Sequence, residues 1–389
     1  MSRLTIENRR ERALVRLADA LLAVAPLARS SHVRPASPRR IVCLRLERIG
    51  DLLMTIPAIV DLKDALPSAS IDLVVGRWNR DVASVIPGID RVETLDASWL
   101  SRDAGGRGTM SLVREARQWR SRRYDLAINF EPDIRGNIVL AAIGAAWTAG
   151  FVSGGGSALL DTALDYDATI HTSDNARALV RAVASVAPFV ERASRTSPLA
   201  IPAANRDEAA RLLARFNGAR PIGIHVSAGR AIKQWPETRF REVAEHLVRD
   251  RNAAIVLTGA ASDRAQVEIV RAALPSARVL DLSDGVNLLT AAAVLERINL
   301  LVTGDTGPMH LAYAVGTPVV AVFGPSDPVR YAPRGLHDRV VRVDLPCSPC
   351  NRIRVPPARC TGHTPDCLAG VEVSAVLRAI DDVLEEVQR

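Results

Sequence analysis

From Leu300 to Pro328 the chain reads in succession as strand, turn, helix and strand, and this one segment restricts the protein to α/β architectures. Leu300 to Thr303 is short, apolar and β-prone, as a buried parallel strand should be. Gly304-Asp305-Thr306-Gly307-Pro308-Met309-His310-Leu311 then turns the chain. Asp305 and Thr306 are helix-capping types, Gly307 is permissive, and Pro308 suits a first helical position because its missing N–H would have no partner there. Met309 to Val315 continues as an apolar helix, Gly316 can end it, and Pro318 to Phe323 is a second buried strand running into Gly324-Pro325-Ser326-Asp327-Pro328. A crossover of this length joins a parallel pair. The start of such a helix aims free N–H groups and a positive dipole end at the turn, which suits a phosphate. Ordinary glycine-turn chemistry accounts for the same residues, so on this segment alone both readings stand.

The alternation recurs on either side. Strands are expected at Ile41 to Leu46, Ile71 to Val75, Val92 to Leu95 and Leu126 to Phe130, then at Ile222 to Val226, Ala254 to Thr258, Val279 to Leu282, Leu300 to Thr303 and Val319 to Phe323. Helices are expected at Glu237 to Arg249, Asp263 to Leu274 and Leu288 to Glu296. Another follows Glu47 to Asp51, taking up by Ile56 with Pro57 in its first turn. Glu191 to Pro202 lacks periodicity and is expected to be a linker, and the polar insert Ser101 to Thr109 a mobile loop. The division is an N-terminal extension and linker at 1–38, one doubly wound Rossmann-like domain at 39–195, a second at 203–375, and a C-terminal helix at 376–389. Ligands are expected beyond the strand C-termini, in a cleft that the two domains face.

With 389 residues there is room for two full cores, and no run of 18 apolar residues exists to span a membrane. The net charge of +7 suits an anionic partner: a nucleotide, a phosphorylated glycan or an acidic membrane surface. Nucleic acid is disfavoured by an aromatic content of 4% and by the lack of any helix-turn-helix, RNA-recognition or finger pattern. Among many arginines the lysines are only Lys63 and Lys233. A compact ammonium on a flexible stem serves phosphate as a point charge, whereas Lys63 is read as incidental. Near the N-terminus, Arg9, Arg10, Arg12 and Arg16 alternate with Leu14, Leu17, Ala18, Leu21 and Leu22 at helical spacing. A peripheral helix on an acidic membrane and a solvated helix docked on the body are both open; a secretory signal is disfavoured by Arg16 and Asp19.

Two loops beyond the first strand of each half carry the chemistry. In Arg45-Leu46-Glu47-Arg48-Ile49-Gly50-Asp51, the Asp51 carboxylate is either a general base or a helix cap. After Ile222 to Val226 comes Ser227-Ala228-Gly229-Arg230-Ala231-Ile232-Lys233-Gln234-Trp235-Pro236-Glu237, small residues with two cations, which suits a pyrophosphate. His225 is read as a satisfied strand-end histidine, and Gly259 either as a neighbour of ribose or base or as plain turn chemistry. No G-x-G-x-x-G or Walker loop is present, against dinucleotide redox chemistry and NTP hydrolysis.

Taken together and in order, Arg48-Ile49-Gly50-Asp51 with Pro57-Ala58, the loop from His225 through Lys233-Gln234-Trp235-Pro236, and Asp305-Thr306-Gly307-Pro308-Met309-His310-Leu311 with Gly316-Thr317-Pro318 and Phe323 to Pro328 resemble glycosyltransferase family 9, the ADP-heptose:lipopolysaccharide heptosyltransferases. The resemblance implies a GT-B fold and an inverting glycosyl transfer without a catalytic cofactor or metal. Heptose would pass from ADP-heptose to a lipopolysaccharide-core or lipid-linked acceptor, at the cytoplasmic face of the inner membrane. It implies Asp51 as general base and Lys233, helped by Ser227 and Gly229, as the group that stabilises departing ADP. Thr306 and Gly307 would hold phosphate and Asp305 sugar hydroxyls, with Gly259 and His310 completing the donor side. A relative with another nucleotide sugar or acceptor, or a non-catalytic nucleotide-sugar-binding protein, remains the alternative. Finally, Cys347, Cys350, Cys360 and Cys367, spaced C-x2-C-x9-C-x6-C in the loop 347–367, are candidate ligands of a structural zinc, with free thiols or disulfides as the other reading.

Overall fold

The structure is a computed structural model, describing residues 4, 9–24, 33–100, 106–184, 199–218, 220–283 and 285–388. Much of the expected mobile insert and of the interdomain linker, 101–105 and 191–198, lies outside them, as do 30–32 of the stretch after the first helix. The chain divides into two compact units, Met1–Ala193 and Ser194–Arg389.

The first unit holds a parallel sheet of β1 (Arg40–Arg45), β2 (Ser70–Val75), β3 (Arg91–Thr94), β4 (Leu126–Asn129), β5 (Trp147–Phe151) and β6 (Thr162–Leu164) in the order β3-β2-β1-β4-β5-β6. Ile41, Val42, Cys43 and Leu44 have no exposed surface, as a central strand covered on both faces requires. The next helix differs from expectation. It begins at Ile49 and runs to Ala65, so Pro57 lies in its interior rather than its first turn. That proline forfeits the bond to the Leu53 carbonyl, and burial of Leu52, Leu53, Ile56, Ala58, Ile59 and Leu62 offsets the loss. From the same helix Asp61 forms a buried pair with Arg177 of helix Thr172–Val183, at 2.6 and 3.2 Å.

The second unit repeats the plan with β7 (Ile222–His225), β8 (Ile255–Thr258), β9 (Val279–Asp281), β10 (Leu301–Gly304), β11 (Val319–Val322) and β12 (Arg339–Val341), ordered β12-β11-β10-β7-β8-β9. Its core joins Ile224, Val302 and Val320 of the sheet to Trp235, Phe240 and Leu247, and to Val376, Ile380 and Val383 of the final helix Val373–Gln388, which starts three residues before the expected 376. Strands β5, β6 and β12 have no counterpart in the sequence reading. β6 and β12 are three residues long at the sheet edges, and β5 contains Gly150, where a Cβ would stand 3.1 Å from Asn137 Oδ1; their pairing comes from the neighbouring strand rather than from their own pattern.

In both sheets the strand order reverses once, between β1 and β4 and between β7 and β10. Connections leave in opposite directions at such a point, opening a crevice beyond the carboxyl ends of the two strands, where doubly wound proteins bind ligands.

Candidate functional site

In the second unit the loops beyond β7 and β10 meet. Lys233 ends the short turn Ala231–Lys233, and its Nζ lies 2.7 Å from Asp305 Oδ2 in the turn after β10. The loop is anchored on both sides of Lys233. Gln234 Nε2 donates to the Val226 and Trp235 carbonyls, both at 2.7 Å, and the buried Trp235 donates through Nε1 to the Val371 carbonyl. Gln234-Trp235 thus carries scaffolding rather than chemistry. Asp305 is buried, and burial alone would raise its pKa; the Lys233 ammonium, a hydrogen bond from Ser326 and the charge of His310 bring it below the usual carboxylate range. The pair is charged, and its anion is spoken for by one cation.

Thr306 is the N-cap of helix Gly307–Ala314, yet its hydroxyl makes no capping bond and instead lies 3.0 Å from the Thr303 hydroxyl. Pro308 occupies the second helical position, one later than expected, where its lack of an N–H is equally harmless. The first N–H groups and the positive helix end therefore open beside Lys233, a seat with the right polarity for a phosphate. His225, in register with Thr258, is buried with Nδ1 3.1 Å from the Thr258 carbonyl and hydroxyl and Nε2 3.2 Å from the Ser227 hydroxyl. Burial pushes its pKa down to about 4, so it is neutral near pH 7 and positions Ser227, as a satisfied strand-end histidine should. Gly229 is exposed in the same loop. Gly259 has a packing reason: a Cβ there would meet Val267 Cγ2 at 3.1 Å and Asp263 Cβ at 3.3 Å.

In the first unit the corresponding crevice is acidic. The N-cap of helix Ile49–Ala65 is Arg48, so Asp51 does not cap it; the carboxylate stands in the first turn, 29% exposed, where it complements the helix dipole. Beneath it lies Arg45, only 3% exposed, with Nη2 3.7 Å from Asp51 Oδ1 and Nη1 2.9 Å from Glu47 Oε2. Arg45 also donates to the carbonyls of Asp51 (3.2 Å) and Phe130 (2.6 Å), which joins the β1 turn to the end of β4. Burial would favour a neutral guanidinium, but Glu47, Asp51 and Glu131 hold it charged. Glu131, buried and accepting the Glu47 N–H at 2.8 Å, is displaced the other way: burial first, then Glu47, raises its pKa well above the carboxylate range against the pull of Arg45.

Arg45, Glu47, Glu131 and Ser326 were not singled out from sequence. Glu131 could have been, because Leu126 to Phe130 was recognised as a strand and the residue beyond its end adjoins the switch point. Arg45 carries no such signal, since an arginine closing a buried strand is recognisable only once its three carboxylates are assembled.

The four clustered cysteines are free thiols, and no group of three or more His, Cys, Asp or Glu among the described residues is arranged to hold a metal ion. Of the expected zinc set Cys347 is exposed and Cys367 buried, and burial, then the neighbouring Cys350, Cys347 and Cys360 thiols, push the Cys367 pKa up to about 11. Hydrogen bonds hold their loop: Ser348 donates to the Gly324 carbonyl, the Cys350 and Asn351 N–H groups donate to the Pro325 carbonyl, and the Asn351 side chain accepts from the Asp327 N–H. It thereby braces the segment that brings Ser326 to Asp305.

Two doubly wound units, the second with a cationic turn and helix start at its switch point, have GT-B architecture, and the family match makes the chain a glycosyltransferase. The chain belongs to glycosyltransferase family 9 (heptosyltransferase), whose sequence model matches residues 112–357. It is similar to the lipopolysaccharide core heptosyltransferase OpsX of Haemophilus influenzae, 23% identical over 315 residues, 79% of this chain and 85% of that protein. Lipopolysaccharide heptosyltransferase 1 of Pseudomonas aeruginosa is 25% identical over 323 residues, 80% of this chain and 86% of that one. The fold matches that of Escherichia coli ADP-heptose lipopolysaccharide heptosyltransferase II with a TM-score of 0.73 at 21% identity, covering 90% of this chain and 100% of the other. Among the described residues no helix is long and apolar enough to cross a membrane.

Proposed function

We propose that this enzyme moves heptose from ADP-heptose to a lipopolysaccharide-core or related cell-envelope acceptor, with inversion and without a catalytic metal, at the cytoplasmic face of the inner membrane. The observation that carries the reading is the Lys233–Asp305 pair beside the open start of helix Gly307–Ala314. Family membership and relatives that are lipopolysaccharide heptosyltransferases support the sugar and the acceptor.

In the proposed step Asp51 accepts the proton of the acceptor hydroxyl. That oxygen bonds to the anomeric carbon as the carbon–oxygen bond to ADP breaks, and the bonding pair leaves on the β-phosphate. A single displacement inverts the anomeric centre. The new charge on ADP falls to the Lys233 ammonium and the N–H groups beyond Thr306, preorganised donors that need no rearrangement as the charge develops. Asp305, while holding Lys233 in place, offers its remaining lone pairs to sugar hydroxyls, and Ser227 and Gly229 line the diphosphate side. Arg45 holds Asp51 from beneath and shares its guanidinium with Glu47 and the charge of Glu131, so that its charge is not concentrated on the base.

The deciding experiment is a screen of nucleotide sugars against purified protein, with the product's anomeric configuration read by NMR and the reaction repeated in chelator. Transfer from ADP-heptose with inversion, unchanged by chelator, is expected. Preference for a different nucleotide sugar would replace the donor. Asp51→Ala should abolish transfer and leave ADP binding intact, and wild-type turnover in that variant would remove the proposed base.

A further inference from the structure

Helix Arg9–Val24 is amphipathic twice over. One face is docked on the first unit: Val15 is buried against Gly155, whose φ of +97° and missing Cβ make room for it, and Asp19 accepts the Gly156 N–H. The opposite face is apolar and exposed. Leu14, Leu17 and Leu21 are 67%, 59% and 61% exposed, and their spacing puts them in one stripe with Ala13 and Ala20 alongside. Val15 and Asp19 lie roughly half a turn of the helical wheel away from that stripe, about 150°. Docking on the body therefore leaves it uncovered. Three leucines held out in water are a standing unfavourable exposure, unlike scattered surface apolar residues.

The charge around the stripe indicates what covers it. Arg10 is exposed in line with the leucines, one turn before Leu14, whereas Arg16 is exposed about 130° round the wheel from them and Asp19 is turned to the body. On a chain of net charge +7, an acidic bilayer supplies phosphate to Arg10 and acyl chains to the leucines, which a second equally basic copy does not.

We propose that the exposed face of helix Arg9–Val24 is the surface by which this protein lies on an anionic phospholipid bilayer, with the leucines in the acyl boundary and Arg10 at the headgroup phosphates. The surface stands on its own geometry; only its consequence, delivery of the enzyme to a lipid-anchored acceptor, rests on the function proposed above.

The test is sedimentation of the full-length protein with phosphatidylcholine vesicles, with and without phosphatidylglycerol. The chain should sediment with the acidic vesicles and release at high salt. Leu14→Ser, Leu17→Ser and Leu21→Ser together should lower the partition coefficient about a hundredfold or more. Arg10→Gln should lower it about fivefold, and Arg16→Gln, on the side away from the bilayer, by clearly less. All these positions are exposed, so unchanged circular dichroism melts and unchanged ADP binding are expected throughout. Vesicle binding by the triple variant equal to wild type, or indifference of the wild type to phosphatidylglycerol, overturns the proposal. So does a wild-type dimer that the triple substitution dissolves without altering lipid binding. Failure of the wild type to bind ADP would count against the donor reading alone and leave the vesicle result standing.

Discussion

Lys233 Nζ stands 2.7 Å from Asp305 Oδ2, an ion pair between the loops that follow two adjacent parallel strands, β7 and β10. It is largely shielded, with side chains 20% and 11% exposed, so neither partner is dispensable to the other. Lys233→Ala should lower kcat/KM roughly 10²–10³-fold, the usual effect of removing one preorganised donor to a developing anion. It also strands a buried carboxylate, so Lys233→Ala with Asp305→Asn should be more stable to denaturant than Lys233→Ala alone. Steady-state kinetics and a double-mutant unfolding cycle check both; additive stability losses would mean that the pair is not coupled.

The Arg45 guanidinium pairs with Glu47 and Asp51 and is held charged by Glu131 as well. Arg45→Leu is expected to destabilise the first unit by about 3–5 kcal/mol, the range for removing one partner of a buried pair. It should lower kcat much more than it raises the donor KM, since the donor seat belongs to the other unit. Arg45→Lys should recover stability better than kcat, because an ammonium keeps the charge without the planar fork. A donor KM that rises in step with the loss of kcat would count against a role in positioning Asp51.

The His225 imidazole gives a pH signature. Its folded pKa of about 4 lies below its unfolded value of about 6.5, so between them the unfolded chain binds the extra proton. Its contribution is present in full above about pH 6.5 and is lost as pH falls towards 4, by about 3 kcal/mol. Denaturant midpoints of the second unit should fall across that window, and His225→Gln should flatten the slope. An equal slope in the variant would assign the acid sensitivity to other groups.

Asp61 and Arg177 join two helices of the first unit, with side chains 6% and 10% exposed. Asp61→Ala or Arg177→Ala alone should cost about 3–5 kcal/mol, whereas an apolar pair of similar volume at both positions should recover most of it. Thermal melts of the three variants decide this, and a double variant no better than the singles would show that the pair also holds the register of the helices.

Much of the fold was legible because buried parallel strands are written as short continuous apolar runs. Ile41 to Leu46, Ile222 to Val226 and Val319 to Phe323 each fall within a residue of an observed strand end. Edge strands such as β6 and β12 were not, since they are only partly buried and lack the apolar run that made the equally short β9 legible, and are strands because a neighbour pairs with them. Pro57 misled for a related reason. A proline marks a helix start only where burial does not override it, and here the apolar residues on either side do.

The site divides in the same way. Local chemistry alone picked out Asp51, Lys233 and the turn from Asp305 to His310, because backbone turns, a lone lysine and a helix start are properties of contiguous residues. Only tertiary structure could bring Lys233 to Asp305 across 71 intervening positions, place Arg45 beneath three carboxylates from two strand ends, or leave Leu14, Leu17 and Leu21 uncovered on a helix that is otherwise docked. The physical reason is that burial and pairing depend on what stands opposite a side chain in space. The order of residues along the chain specifies each loop's own conformation, but not the neighbour from which its charge or its apolar face takes its meaning.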